Sequence, residues 1–181
     1  MKLSDFVRVY DNVLPLSFCK DLMTTFESSP HTEVVDNDFK PFFTELNLVK
    51  FYPQWRDRLV KYTMGPMSQY CLDLKDQTQF FRQERLAMEE FRIKRYNSDT
   101  GQQFDTHVDA CSLESSKRYL SFLFYLNDDF TGGETVFYPD HEIQPKTGSV
   151  LVFPPTWQYP HAGLPLMTGT KYIMSTYLNF V

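Results

Sequence analysis

Residues Arg118 to Asn127 read Arg-Tyr-Leu-Ser-Phe-Leu-Phe-Tyr-Leu-Asn, a nearly unbroken apolar run of strand length. Such a run has to be covered on both faces, which puts it at the centre of a sheet. Shorter candidate strands surround it: Glu90 to Tyr96, Gln102 to Asp109, Glu134 to Tyr138, Ser149 to Phe153, a short piece at Tyr159 to His161, and Lys171 to Phe180. Turn residues punctuate them at Gly101, at Asp128 to Gly133, at Pro145 to Gly148 and in a loop from Gly163 to Gly169. Strands spaced about ten residues apart and separated by Gly and Pro turns indicate a sandwich or barrel-like roll. The 17 Phe and 11 Tyr suit that interior, because large flat side chains pack well on pleated surfaces.

The first 85 residues have a different period. Phe6 to Tyr10 alternates like a short strand, and Leu14-Pro15-Leu16-Ser17 opens a helix in which Phe18, Leu22 and Phe26 share a face before Ser28-Ser29-Pro30 ends it. Residues 30 to 47 show no clear period and read as loop, with a short strand around Val34-Val35. Tyr52, Trp55, Leu59 and Tyr62 return to helical spacing. Gly65-Pro66 is expected to break or kink that helix, and Met67, Tyr70, Cys71 and Leu74 carry a second stretch before a polar loop from Lys75 to Gln79. The expected fold class is therefore mainly β with N-terminal covering helices (α+β). It is expected as one domain over 1–181, in which 1–85 supply a strand and covering helices and 86–181 form the core.

The net charge of -5 disfavours a general nucleic-acid binder. Three scattered cysteines, Cys19, Cys71 and Cys111, outline no zinc site or disulfide framework and point to a reducing compartment. The stretch after Met1 has no apolar run of signal-peptide length, and no window approaches a membrane span, so a cytoplasmic, membrane-free protein is expected.

The chemistry concentrates between Tyr96 and Lys171. In a strand, residues i and i+2 face the same side, so His107 and Asp109 can reach one ion together. Of the other histidines, His31 lies in the loop after the first helix and His141 in an acidic turn. His161 follows a strand and precedes Ala-Gly, where the backbone can bend toward an ion, and is the third ligand. Two imidazoles and a carboxylate suit Fe(II) and leave about three positions open for other ligands, although a catalytic zinc also takes three protein ligands. Cys111 and Asp105 lie close by and are read as a bystander and a solvated residue. Lys171 sits in the apolar strand with Ile173, Ser175 and Tyr177 on its own face. That set is too apolar for a solvent face, so the lysine is expected to point inward, where an ammonium requires an anionic partner such as a dicarboxylate.

Taken in order, Arg95-Tyr96, Gly101, Phe104, His107-x-Asp109, Arg118, Tyr125-Leu126-Asn127-Asp128, Gly132-Gly133-Glu134-Thr135, Pro145-x-x-Gly148, Phe153-Pro154, His161, Gly163 and Lys171-Tyr172 resemble the catalytic core of the prolyl 4-hydroxylase-like Fe(II)/2-oxoglutarate dioxygenases. The resemblance covers about residues 86–181. It implies a double-stranded β-helix, a jelly-roll, cupin-like core. It implies Fe(II) on His107, Asp109 and His161, the distal carboxylate of 2-oxoglutarate on Lys171, and Tyr96, Tyr125 and Ser175 lining the cosubstrate pocket. It places Arg118 and Tyr177 on the substrate side. Glycines 132 and 133 are read as a turn requiring positive φ.

The function implied is a dioxygenase using O2 and decarboxylating 2-oxoglutarate to succinate, with ascorbate among the cofactors relatives use. Its substrate is expected to be proline in a peptide or protein. The competing expectations are an oxygenase of a free amino acid or other small molecule, and a non-catalytic metal or 2-oxoglutarate binder. Oligomeric state is left open.

Overall fold

The strand predicted at the centre of the sheet lies there. The computed structural model describes residues 2–36, 42–75 and 86–181. Its strands, in chain order, are β1 (Arg8–Tyr10), β2 (Glu33–Asp36), β3 (Phe42–Asn47), β4 (Leu86–Met88), β5 (Arg92–Asn97), β6 (Phe104–His107), β7 (Arg118–Tyr125), β8 (Thr131–Gly132), β9 (Thr135–Phe137), β10 (His141–Ile143), β11 (Val150–Phe153), β12 (His161–Gly163), β13 (Leu166–Thr168) and β14 (Thr170–Phe180). The helices are α1 (Leu16–Ser28), α2 (Leu48–Phe51) and α3 (Arg56–Asp73). The large sheet runs β1-β11-β7-β14-β5-β3-β2, with β4 also on β14. A four-stranded sheet, β10-β9-β12-β6, faces it, and β13-β8 form a separate pair. This is the double-stranded β-helix the resemblance implied, mainly β with helices over one face.

Strand alternation sorts the large sheet into two interiors. On one face Leu120, Phe122, Phe124, Val150, Val152, Met174 and Leu178 pack under Phe18, Leu22 and Phe26 of α1 and Leu59 and Tyr70 of α3. The opposite face contributes Tyr96, Tyr125, Leu151, Phe153 and Ile173 to a second cluster with Phe137 and Ile143 of the small sheet. No helix of the described residues is long and apolar enough to cross a membrane.

Several expectations change. Residues 42–47, read as loop, form β3, which pairs with β5. Positions 43–47 are all buried, so the alternation that would mark a half-exposed strand is missing. Gly65-Pro66 does not break α3, which runs from Arg56 to Asp73 with Pro66 inside it. Leu59, Thr63, Pro66 and Tyr70 are buried along one side, and that packing outweighs the hydrogen bond a proline removes. The expected strand at Phe6 begins only at Arg8, after a 3-10 turn over Leu3–Phe6. The loop after Gly163 contains β13, paired with β8. Of the polar loop expected at Lys75 to Gln79, residues 76–79 lie outside the described residues.

The N-terminal segment is tied to the core at one turn. Gly148, at φ 81, accepts hydrogen bonds from the amides of Val13 and Leu14, both at 2.9 Å. A Cβ at Gly148 would lie 2.5 Å from the Leu14 carbonyl oxygen. Gly148→Ala is therefore expected to destabilise the fold by about 2–4 kcal/mol. Gly65→Ala, with nothing within 4 Å of its Cβ in a helix, should be neutral or stabilising by up to about 1 kcal/mol. Urea unfolding of the two variants checks both.

Candidate active site

Strand register assembles the site. β12 runs antiparallel to β6 with His161 directly across from His107, and β9 on its other side places Phe137 across from His161. Asp109 follows two residues past His107, just beyond the end of β6. Ligand atoms of His107, Asp109 and His161 lie within 4.8 Å of one another. The Nε2 atoms of His107 and His161 stand 3.7 and 3.9 Å from the Asp109 carboxylate oxygens. Each imidazole turns its Nδ1 to a backbone carbonyl, His107 to that of Asp105 at 2.8 Å and His161 to that of Tyr159 at 3.0 Å. A carbonyl only accepts, so each Nδ1 carries the proton and each Nε2 lone pair is free to face a common point. Burial pushes the His161 pKa down, which keeps the ring neutral. Burial works to raise the Asp109 pKa, but the net direction is down, the Ser121 hydroxyl donating to the carboxylate and helping to hold it ionised. Two neutral imidazoles and one carboxylate, open toward a pocket, fit a divalent transition metal.

Asp109 is fixed from the large sheet. Ser121 of β7 donates to its Oδ2 at 2.7 Å, and the Tyr177 hydroxyl of β14 donates to its Oδ1 at 3.0 Å. Arg118 donates to the Asp109 carbonyl at 2.7 Å. Its Nε and Nη2 clamp Glu89 at 2.9 and 3.0 Å, and its guanidinium stacks 3.7 Å over the Tyr177 ring. Tyr177 thus lines the pocket beside the carboxylate, while Arg118 stands behind the pair, engaged with protein groups.

The pocket lies between the two sheets and opens to solvent. His107, Asp109 and His161 line it together with Tyr96, Lys171, Ile173, Ser175 and Tyr177. Lys171 points inward, 4% exposed, and donates to the Gly133 carbonyl. Its ammonium lies 5.9 and 5.7 Å from the Tyr96 and Tyr125 ring centroids. Burial lowers its pKa to about 8, with Glu134 acting in the opposite direction. Tyr125 donates to Thr135 at 2.8 Å. Gly133, at φ 71, forms the turn and also leaves space, since a Cβ there would lie 2.7 Å from Leu166 and 3.4 Å from the Lys171 side chain.

His31 stacks on Phe51, His141 lies at β10, and Cys111 is exposed; none joins the cluster. Sequence reasoning missed Ser121, which stands across from Tyr177 in the sheet, and Glu89, and it named Phe104 without a role, although its ring stacks on His107 at 3.6 Å. It also missed Lys94, which lines the pocket. Lys94 stands two residues before Tyr96 in a strand, so the same-face rule could have found it.

An open site of two histidines and one carboxylate inside a double-stranded β-helix defines the class of non-haem iron oxygenases. Residues 91–179 match the 2OG-Fe(II) oxygenase superfamily. Members of that superfamily require Fe(II), 2-oxoglutarate and O2. The chain is 33% identical over 112 aligned residues to a protein of Acanthamoeba polyphaga mimivirus named "Putative prolyl 4-hydroxylase"; the match covers 50% of this chain and 45% of that protein, so it spans under half of the relative's length. Among solved structures, it is similar to the viral collagen prolyl hydroxylase of Paramecium bursaria Chlorella virus-1 in its 2OG complex, with TM-score 0.73, 20% identity and 97% of each chain covered. It is also similar to a Trichoplax adhaerens prolyl hydroxylase in complex with a hypoxia inducible factor peptide fragment, with TM-score 0.74, 14% identity, and 98% of this chain and 84% of that one covered.

Removing the Ser121 hydroxyl frees one Asp109 oxygen to swing. Ser121→Ala is expected to weaken Mn(II) binding about 10- to 100-fold with the fold retained, read by calorimetric titration beside circular dichroism.

Proposed function

We propose that this chain is a 2-oxoglutarate-dependent dioxygenase that hydroxylates proline in a peptide or protein. The observation that carries the reading is that one pocket holds both the open His107–Asp109–His161 cluster and a buried, inward-pointing Lys171. Proline as the target rests on the mimivirus relative. Asp109 and Phe153 line the pocket, and just past them Ala110 donates to the Pro155 carbonyl at 2.9 Å, joining two segments that carry the exposed apolar side chains Leu113 and Trp157. Residues 1–181 act as one oxygenase domain in this reading, because β1 and β3 pair directly with the strands that build the pocket.

His107, Asp109 and His161 would hold Fe(II). When bound, the metal supplies activation of O2 with 2-oxoglutarate as reductant, one oxygen atom going to succinate, released together with CO2, and the other to the substrate carbon. The protein's part is to orient and to exclude water. Lys171 pairs with the distal carboxylate. Tyr96 and Tyr125 are kept protonated by burial, which raises both phenols, and stand on either side of the Lys171 ammonium. Ile173, Leu123 and Phe153 give the pocket apolar walls and keep it dry. Phe104, stacked on His107, and Ser121 and Tyr177, bonded to Asp109, hold the ligands in their rotamers.

Under anaerobic conditions, Fe(II) and 2-oxoglutarate should give the visible charge-transfer band of a chelated keto acid. The band should be lost in His107→Ala and weakened in Lys171→Ala. With O2, proline-containing peptides should gain one oxygen atom by mass spectrometry, with succinate formed in equal amount. Absence of the band in folded, iron-loaded parent would overturn the cosubstrate assignment; oxidation of a free amino acid but no peptide would overturn the substrate.

The lowered pKa of Lys171 gives a pH dependence of known sign. The ammonium pairs with a carboxylate and the neutral amine does not. Affinity for 2-oxoglutarate is therefore complete below pH about 8 and falls as pH rises through it. The dissociation constant at pH 9 should be about tenfold larger than at pH 7, measured by titration of the Mn(II)-loaded protein. Lys171→Ala should bind weakly at both pH values.

A further inference from the structure

The pocket contains a second lysine that the proposed chemistry leaves without a task. Lys94 stands on β5 two residues before Tyr96, so its side chain faces the pocket; it is 9% exposed and lines the cavity with the His107–Asp109–His161 cluster. Among the described residues its Nζ has neither a hydrogen bond nor an ion pair; it lies 5.1 and 5.4 Å from the Phe43 and Phe104 ring centroids. The residue directly across from it in the sheet is an acid, Glu45 on β3. A lysine with a purely structural role would pair there. Instead Glu45 is taken by Arg92 at 2.8 Å.

A buried ammonium held only by two aromatic faces has given up most of its hydration and gained little in return. Burial lowers the Lys94 pKa, with Glu45 and Asp109 opposing at longer range. An anion entering the pocket would complete the environment. Register says which one. Lys171 lies across from Tyr96, and Ile173 lies across from Lys94, so the two lysines sit two residues apart along paired strands, roughly 7 Å in the strand direction, on the same face. Lys94 is at the metal end: its ammonium rests over Phe104, which stacks on His107.

We infer that Lys94 is a second carboxylate anchor, pairing with the carboxylate at the keto-acid end of 2-oxoglutarate while Lys171 pairs with the distal one. The inference rests on the cosubstrate reading above and adds a residue to it. The pocket is then matched to a dicarboxylate at both ends. Lys94 also offsets negative charge gathered at the metal from Asp109 and the keto acid.

The test is calorimetric titration of the Mn(II)-loaded protein with 2-oxoglutarate and with 2-oxopentanoate, which keeps the keto acid and lacks the distal carboxylate. Lys94→Met should weaken both ligands at least tenfold, and Lys94→Arg should recover most of the loss. Lys171→Met should weaken 2-oxoglutarate and leave 2-oxopentanoate unchanged. The melting temperature of metal-free Lys94→Met should equal or exceed that of the parent, since an unpaired buried charge has been removed. Unchanged affinity for both ligands in Lys94→Met, with Lys171→Met behaving as stated, overturns the Lys94 assignment and leaves the cosubstrate reading standing. A lower melting temperature with unchanged affinity overturns it in favour of a structural lysine. If the parent binds neither keto acid, the cosubstrate reading fails and this inference falls with it.

Discussion

A charged group enters a protein interior only where something in that interior answers it, and the architecture of this chain follows from where its buried charges stand. The large sheet is covered on both faces, by helices on one and by the small sheet on the other, so the centre of its inner face is largely removed from water. Lys171, Lys94, Glu45 and Asp109 are nonetheless on or against that face. Asp109 is answered by the hydroxyls of Ser121 and Tyr177, and Glu45 by Arg92. Lys171 has one backbone carbonyl. The cations are the less satisfied side of the ledger, and a pocket that keeps them in that condition is prepared for an anionic ligand.

Precision at the metal cluster comes from rigid elements rather than loops. His107 and His161 are direct cross-strand partners in the small sheet, and the carboxylate between them is steered by hydroxyls from two strands of the large sheet. The site therefore depends on the spacing between the sheets. That spacing is set by the aromatic layer of Tyr125, Phe137, Phe153 and Tyr159. The helices act at one remove: they fill the far face of β7, β11 and β14, and without that cover the central strands would expose Phe122, Phe124 and Met174. Arg118 works in the same way, gathering Glu89, the Asp109 carbonyl and the Tyr177 ring into one polar knot behind the cluster.

Much of the site was legible because strands have a period of two. His107 and Asp109, and Lys171 with Ile173, Ser175 and Tyr177, could be assigned to shared faces by counting. The same count from Tyr96 reaches Lys94, yet an isolated lysine between Ile93 and Arg95 reads as an ordinary surface residue until its surroundings are known. β3 escaped for the opposite reason: Phe43 to Asn47 are buried on both sides, so no alternation marks them. Gly65-Pro66 looked like a helix break because local propensity says so, and tertiary packing of α3 overrode it.

The sequence by itself determined the fold class, through the apolar centre at Arg118 to Asn127 and the rhythm of Gly and Pro turns. It also determined the ligand types, because residue chemistry and the i, i+2 rule are local properties. Only the tertiary structure decided which strands lie side by side. The joining of β1 and β3 to the catalytic sheet, the diversion of Glu45 to Arg92, the placement of Arg118 behind the cluster and the isolation of Lys94 in the pocket all depend on register between segments far apart in the chain. Register is set by the joint burial of both sheets' inner faces, and no single segment contains that information.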